Sequence, residues 1–278
     1  MQVIRAEHAG ACYGVQRALG LAEKCVREGV DATTLGPLIH NPQVVSALAQ
    51  KGIGEAHQVA DVQTGTVIIR SHGVVPQVRK QIEQRGLAVV DATCPHVLHA
   101  QKSAANLARQ GLVVLVVGED GHPEVEGLKA YAAQEGAQVF VVAGAQDVPQ
   151  DLSSNVGVVV QTTQIKETLD GIVCALEQRG ITPVVKNTIC DATSQRQQAA
   201  SKLAGTVDAM VVIGGRNSSN TTRLFEICSQ ECDRTHHIEA GEVIDPAWFE
   251  GCVTVGVTAG ASTPEDQIEP IVAFLEQL

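Results

Sequence analysis

Apolar residues in this chain fall into two alternating patterns. Short runs rich in Val, Ile and Leu are separated by longer stretches in which apolar positions recur every three or four residues. The runs predict strands over 2–6, 33–35, 66–70, 87–90, 112–117, 138–142, 156–161, 182–186, 208–213, 235–238 and 253–257. The periodic stretches predict helices over 15–27, 42–51, 76–84, 96–110, 166–179, 193–204, 221–230 and 264–277. Pro42, Pro76 and Pro264 stand at the expected first turns, where proline is tolerated. Strand–helix alternation of this kind predicts an α/β fold with mostly parallel sheets.

The polar residues at the strand ends fall into three sets. After Cys12, the first has Gly36-Pro37-Leu38-Ile39-His40-Asn41-Pro42, Arg70-Ser71-His72-Gly73 and Asp91-Ala92-Thr93-Cys94. The second has Gly118 to Glu124, Gln161-Thr162-Thr163-Gln164 and Asn187-Thr188-Ile189-Cys190. The third has Gly214 to Asn220 and Thr258-Ala259-Gly260-Ala261-Ser262, and lacks a cysteine unless the N-terminal Gly10-Ala11-Cys12 completes it. Cys94 follows Cys12 by 82 positions and Cys190 follows Cys94 by 96. Such near-equal periods predict three pseudo-threefold-related α/β units: 13–94, 95–187, and 188–278 completed by strand 1–12. Function in open α/β sheets collects at the carboxyl ends of strands, and right-handed crossovers put those ends on one side of a sheet. The expected arrangement is one central cavity lined by Cys12, Cys94 and Cys190.

Composition narrows the class. The 278 residues are 44% hydrophobic but only 3% aromatic, the aliphatic filling of buried parallel strands and their helices. The net charge of −11 argues against nucleic-acid or anionic-membrane binding, which needs a basic face. No apolar run approaches a membrane span and no basic leader precedes the first strand, so a cytoplasmic protein is expected. Eight cysteines without dense spacing read as reduced thiols rather than a disulfide framework. Cys228 and Cys232, four apart on an expected helix, could pair on a metal, but small buried side chains are the simpler reading. The same reading is given to Cys25 and Cys174.

Cys12, Cys94 and Cys190 differ in their setting. Each stands where a strand hands over to a helix, and a helix N-terminus favours thiolate, the form that binds metal. A zinc ribbon is not indicated, because C-x-x-C spacing is absent. A structural zinc with one of His40, His72 or His122 as fourth ligand is a competing reading. A [4Fe–4S] cluster normally takes four cysteines; held by three, it keeps one iron open for Lewis-acid chemistry beside electron transfer. The other tips suit an anion. His40, His72, His122, Thr162, Ser218, Asn220 and Ser262 are hydrogen-bond donors, and Ser-Ser-Asn opens a helix. Arg70 and Arg216 stand nearby, so phosphate or diphosphate fits better than a neutral sugar. Glu124, closer to its strand end than Glu126, is the candidate acid, since an enclosed carboxyl can hold a proton at neutral pH.

These residues carry a resemblance. Gly-Ala-Cys-Tyr-Gly-Val (10–15), Ile-His-Asn-Pro (39–42), Ser-His-Gly-Val (71–74), Asp-Ala-Thr-Cys-Pro (91–95), Gly-His-Pro-Glu-Val-Glu-Gly (121–127), Gln-Thr-Thr (161–163) and Asn-Ser-Ser-Asn (217–220) resemble the LytB/IspH family of 4-hydroxy-3-methylbut-2-enyl diphosphate reductases, over essentially the whole chain. The resemblance implies a trefoil of three α/β units and a [4Fe–4S] cluster on Cys12, Cys94 and Cys190, with one open iron that receives the substrate's allylic hydroxyl. It implies diphosphate contacts at His40, His72, His122, Ser218, Ser219, Asn220 and Ser262, a substrate contact at Thr162 and a proton relay at Glu124. Ala11 departs from the aromatic residue the family often carries there, and Tyr13 follows on the other side of Cys12. Isopentenyl and dimethylallyl diphosphates are the implied products. Neither Gly118 nor Gly214-Gly215 sits in a G-x-G-x-x-G fingerprint, so the two electrons are expected from outside, from a ferredoxin or flavodoxin.

Two rivals have distinct signatures. A three-cysteine dehydratase or condensing enzyme resembling quinolinate synthase would turn over without a stoichiometric reductant. A metal sensor or structural zinc protein would purify colourless with stoichiometric zinc.

Overall fold

A computed structural model of the chain describes residues 1–240 and 242–278. Its strands, in chain order, are β1 (Gln2–Arg5), β2 (Ala32–Leu35), β3 (Gly54–Ala56), β4 (Thr66–Ile69), β5 (Ala88–Asp91), β6 (Val113–Val117), β7 (Val139–Val142), β8 (Val156–Val160), β9 (Val184–Lys186), β10 (Ala209–Ile213), β11 (Thr235–Ile238) and β12 (Thr254–Ala259). Its helices are α1 (Tyr13–Arg27), α2 (Pro42–Gln50), α3 (Pro76–Gln84), α4 (Pro95–Arg109), α5 (Pro123–Gln134), α6 (Lys166–Gln178), α7 (Asp191–Ala204), α8 (Ser219–Glu231) and α9 (Glu265–Leu275).

The chain divides into two compact units. One comprises Met1–Gln16, Ile39–Ala47 and Asp191–Leu278; the other comprises Arg17–Leu38 and Leu48–Cys190. The first carries one four-stranded sheet in the order β1-β12-β10-β11. The second carries two, β3-β2-β4-β5 and β7-β6-β8-β9. Every pairing is parallel. Numbered from its own first strand, each sheet has the order 2-1-3-4, provided β1 counts as the last strand after β12.

Parallel strands leave all their carboxyl ends on one edge of a sheet. Register keeps those ends level: Leu35 pairs with Ala56 and Ile69, and Ile69 with Asp91. Val117 pairs with Val142 and Val160, and Ile213 with Ile238 and Ala259. The polar tips therefore emerge from rigid ends. The central strands β8 and β10 are buried throughout, while the edge strand β9 is exposed throughout. Leu115, Val158, Val160, Ile172 and Leu176 pack into one core of the second unit, and Val211, Ile213, Val257 and Ile268 into a core of the first. Burying each such side chain is worth about 1.5–3 kcal/mol.

Two elements depart from the sequence reading. β3 is a three-residue edge strand whose Gly54 and Glu55 are exposed, too short and too polar to register as an apolar run. Helix α5 lies outside the expected set. It buries Glu124, Val125, Gly127, Leu128 and Ala132, and its small residues blur the apolar stripe that marks a helix.

Candidate active site

The three cysteines occupy equivalent places. Cys94 caps the N-terminus of α4, Cys12 directly precedes α1, and Cys190 directly precedes α7. The amide N–H of Cys94 donates to the Ser71 carbonyl at 2.9 Å, that of Cys190 to Thr162 at 3.0 Å and that of Cys12 to Ala261 at 3.1 Å. Each acceptor lies two residues beyond the third strand of its own sheet, β4, β8 or β12. Each cysteine is thus tied by its backbone to a neighbouring polar tip. All three are partly buried, and none is in a disulfide.

The other cysteines sit elsewhere. Burial pushes the Cys228 thiol up to about 12, with Cys232 nearby adding to it. Burial also raises Cys25. A thiol held protonated is a poor metal ligand. Cys174 corrects the reading of a buried side chain: it is exposed on α6, where Gln178 Nε2 donates to its sulfur at 3.4 Å.

Within the second unit, α5 and the β8 tip bring an acid and a hydroxyl together. The carboxyl of Glu124 is 1% exposed. Its Oε1 accepts from the Thr162 amide at 2.7 Å, and its Oε2 lies 2.9 Å from Thr162 Oγ1. Burial raises its pKa to about 7, against the lowering effect of the two Thr162 hydrogen bonds. Glu126 is half-buried and pairs with Lys129 at 3.3 Å, which leaves Glu124 as the enclosed carboxyl of the motif.

His122 caps α5, its Nδ1 accepting from the Glu124 amide at 3.2 Å. Burial, and secondarily the Arg70 guanidinium, lower its pKa to about 4. A neutral ring with Nδ1 accepting carries its proton on Nε2, where it is a donor. The His72 ring lies edge-on to it, with centroids 5.6 Å apart. Arg70 reaches the Gly73 carbonyl at 3.3 Å and runs under Gly36. That residue has φ +73°, and a Cβ there would stand 2.5 Å from Arg70 Nη1.

The first unit gathers the remaining tips. Ser218 caps α8, accepting from the Thr221 amide at 3.4 Å and keeping its own hydrogen to donate. Ser219 and Asn220 follow on the first turn, both buried. Asn220 is 4% exposed, and neither its Oδ1 nor its Nδ2 has a partner among the described residues. A buried amide in that state is costly unless a ligand completes it. The Ser262 hydroxyl donates to the His40 carbonyl at 3.0 Å, so here it ties the two tips together. Arg216 turns away from the anion role suggested by its sequence position, bonding Glu242 and the His237 carbonyl at 3.1 Å each.

Asn41 has no assigned role in the sequence reading and proves to be a joint. It is 1% exposed and caps α2 through the Val44 amide at 3.1 Å. Its Nδ2 reaches the Ser262 carbonyl at 2.9 Å and Gln267 at 2.8 Å. An Asn just before a helix-opening Pro is the available signal. Gln161 is a second such residue, its Oε1 accepting from the Glu119 amide at 3.0 Å.

The chain matches the family described as LytB protein over residues 3–276. It is 50% identical over 274 residues to a 4-hydroxy-3-methylbut-2-enyl diphosphate reductase of Citrifermentans bemidjiense, covering 98% of this chain and 96% of that one. A protein of the same name from Geobacter sp. (strain M21) is 49% identical over the same shares. Among solved structures, an (E)-4-hydroxy-3-methyl-but-2-enyl diphosphate reductase, the terminal enzyme of the non-mevalonate pathway, is 42% identical with full coverage of both chains and a TM-score of 0.73. The corresponding Plasmodium falciparum reductase is 25% identical, covers 99% of this chain and 87% of that one, and superposes with a TM-score of 0.90.

Proposed function

This chain belongs to the LytB protein family, and on that premise we propose that it reduces 4-hydroxy-3-methylbut-2-enyl diphosphate to isopentenyl and dimethylallyl diphosphates, the last step of the non-mevalonate isoprenoid route. Two electrons and two protons enter, the carbon–oxygen bond of the allylic hydroxyl breaks, and water leaves. The observation that carries this reading is the buried Glu124 carboxyl, bonded twice to Thr162 and held near pKa 7 at a strand-end tip.

The family is one of iron–sulfur enzymes. The donor set fits such a group: Cys12, Cys94 and Cys190 stand outside any disulfide at helix N-termini, where thiolate is favoured. These three residues hold a [4Fe–4S] cluster in this proposal. When bound, the cluster supplies one-electron transfer and a Lewis-acidic iron.

The remaining chemistry belongs to the side chains. Protonated Glu124 donates from Oε2 to Thr162 Oγ1, which frees the Thr162 hydrogen to point at the departing oxygen. Thr162 is therefore the relay and Glu124 the store. His122 donates from Nε2 to the diphosphate, and His72, His40, Ser218, Ser219, Asn220 and Ser262 complete the anion contacts. A neutral His122 binds the anion without taking the proton that Glu124 must deliver. The electrons come from a ferredoxin or flavodoxin, and the setting is cytoplasmic. The three-unit division at 13–94, 95–187 and 188–278 with 1–12 belongs to the same proposal; the shared strand order of the three sheets supports it.

The test is anaerobic preparation, followed by incubation with the hydroxylated diphosphate and a chemical reductant. The expected result is both products, formed only with the reductant. Turnover without reductant would point to a dehydratase instead, and a colourless zinc-loaded protein to a non-enzyme.

A further inference from the structure

Two arginines grip the backbone around the cysteine turns, and neither has a part in the chemistry above. Arg17, on α1, donates from Nη1 to the Thr93 carbonyl and from Nη2 to the Asp91 carbonyl, both at 3.1 Å. Those carbonyls lie one and three residues before Cys94. Arg196, on α7, is 3% exposed. It donates from Nη2 to the Gly10 carbonyl at 2.7 Å and from Nη1 to the Ala192 carbonyl at 3.0 Å. Gly10 stands two residues before Cys12, and Ala192 two residues after Cys190.

The grips follow an order along the chain. The helix that begins after Cys12 carries the arginine that holds the Cys94 turn. The helix that begins after Cys190 carries the arginine that holds the Cys12 turn. The Cys190 turn has a neutral fastening: Thr188 Oγ1 accepts from the Val160 amide at 3.0 Å and donates to the Val160 carbonyl.

A neutral donor would satisfy a carbonyl equally well, and burying a guanidinium, fully at Arg196 and partly at Arg17, is costly. Its use beside two cysteine-bearing turns therefore calls for a reason. A planar guanidinium holds two carbonyls in a fixed fork, a geometry that the compact, rotatable ammonium of a lysine does not impose. It also places fixed positive charge near a cluster that becomes more negative on reduction, and local charge sets cluster potentials. We propose that Arg17 and Arg196 are positioning residues for the proposed cluster, fixing the Cys94 and Cys12 turns and favouring the reduced state. This rests on the assignment of Cys12, Cys94 and Cys190 as ligands.

The experiment uses the anaerobic holoenzyme without substrate. Iron release to a ferrous chelator and the reduction potential, followed by EPR, are measured for wild type, Arg17→Met, Arg196→Met and the two Lys variants. Melting of the cluster-free proteins reports any purely structural effect. Each Met variant is expected to release iron about tenfold faster, the factor carried by one charged hydrogen bond, with a lowered potential. The Lys variants keep the charge but lose the fork, so release should quicken while the potential stays near wild type. Release and potential at wild-type values in both Met variants would overturn the proposal. If Arg196→Met fails to fold, unchanged release in Arg196→Lys would overturn its part. A wild type that binds no iron sinks the ligand assignment as well, whereas an iron-loaded wild type with indifferent variants sinks only the clamp.

Discussion

The amide N–H of Cys190 donates to the carbonyl of Thr162, the residue whose side chain meets Glu124. A proposed cluster ligand and the proposed proton relay are therefore joined by a single peptide hydrogen bond. The same bond recurs between Cys94 and Ser71, next to His72, and between Cys12 and Ala261, next to Ser262. Displacing a cysteine turn should disturb the tip it is bonded to, because the two share rigid strand ends.

That equivalence predicts which thiols matter. Cys12→Ser, Cys94→Ser and Cys190→Ser should each lose most of the bound iron, measured with sulfide after anaerobic reconstitution. Cys228→Ser, Cys232→Ser, Cys25→Ser, Cys174→Ser and Cys252→Ser should stay brown. Iron loss in Cys228→Ser without loss of fold would contradict the argument, since burial holds that thiol protonated.

The anion contacts predict a contrast between neighbouring donors. Losing one hydrogen bond to a charged group costs about 1.5–3 kcal/mol, or roughly tenfold and more in affinity. His72→Ala, His122→Ala and Asn220→Ala should each raise the apparent substrate constant by about that factor. Arg216→Ala should leave it almost unchanged, because this side chain is engaged with Glu242. Equal weakening by Arg216→Ala and Asn220→Ala would mean that the diphosphate contacts are wrongly placed.

The parallel α/β alternation, the three thiols and the Glu124 motif were legible because each depends on local signals. Runs of β-branched residues mark strands, and polar residues collect where those runs stop. What the chain did not reveal depends on tertiary placement. Helix α5 was hidden because its small residues and the buried Glu124 blur the apolar stripe. The exposure of Cys174 and the diversion of Arg216 to Glu242 follow from which helix face or partner happens to be near. The grip of Arg17 on the Asp91 and Thr93 carbonyls joins residues more than seventy positions apart, and no spacing rule reaches that far.

Glu124 should also leave a mark on stability. Its folded pKa, about 7, lies above the ordinary value of 4.5. Its protonated form thus contributes stability that is full below about 4.5 and is lost as pH rises through about 7. The loss amounts to roughly 3 kcal/mol, since a tenfold change in proton affinity is worth about 1.36 kcal/mol. Glu124→Gln has no proton to lose, so its stability relative to wild type should climb between pH 4.5 and 8. Denaturation midpoints of the two cluster-free proteins at several pH values would measure this. Parallel curves would mean that the carboxyl is not held protonated.

The sharpest expectation concerns Glu124→Gln in turnover. The amide copies the protonated acid: its oxygen can accept from the Thr162 amide and its nitrogen can donate to Thr162 Oγ1. Cluster content and the apparent substrate constant should therefore stay close to wild type. What the variant lacks is a transferable proton, and hydroxide is a poor leaving group. The catalytic constant should fall by about 10²–10⁴-fold, the usual contribution of a positioned acid. In wild type the active form is the protonated carboxyl, so the rate should decline as pH rises past about 7. The residual rate of Glu124→Gln should not share that decline. Thr162→Val, which removes only the relay hydroxyl, should lower the rate while leaving the Glu124 carboxyl and its bond to the Thr162 amide in place. Normal turnover in Glu124→Gln together with an inactive Glu126→Gln would transfer the role to the second carboxyl of the motif. Its half-buried position and its pairing with Lys129 argue against that outcome.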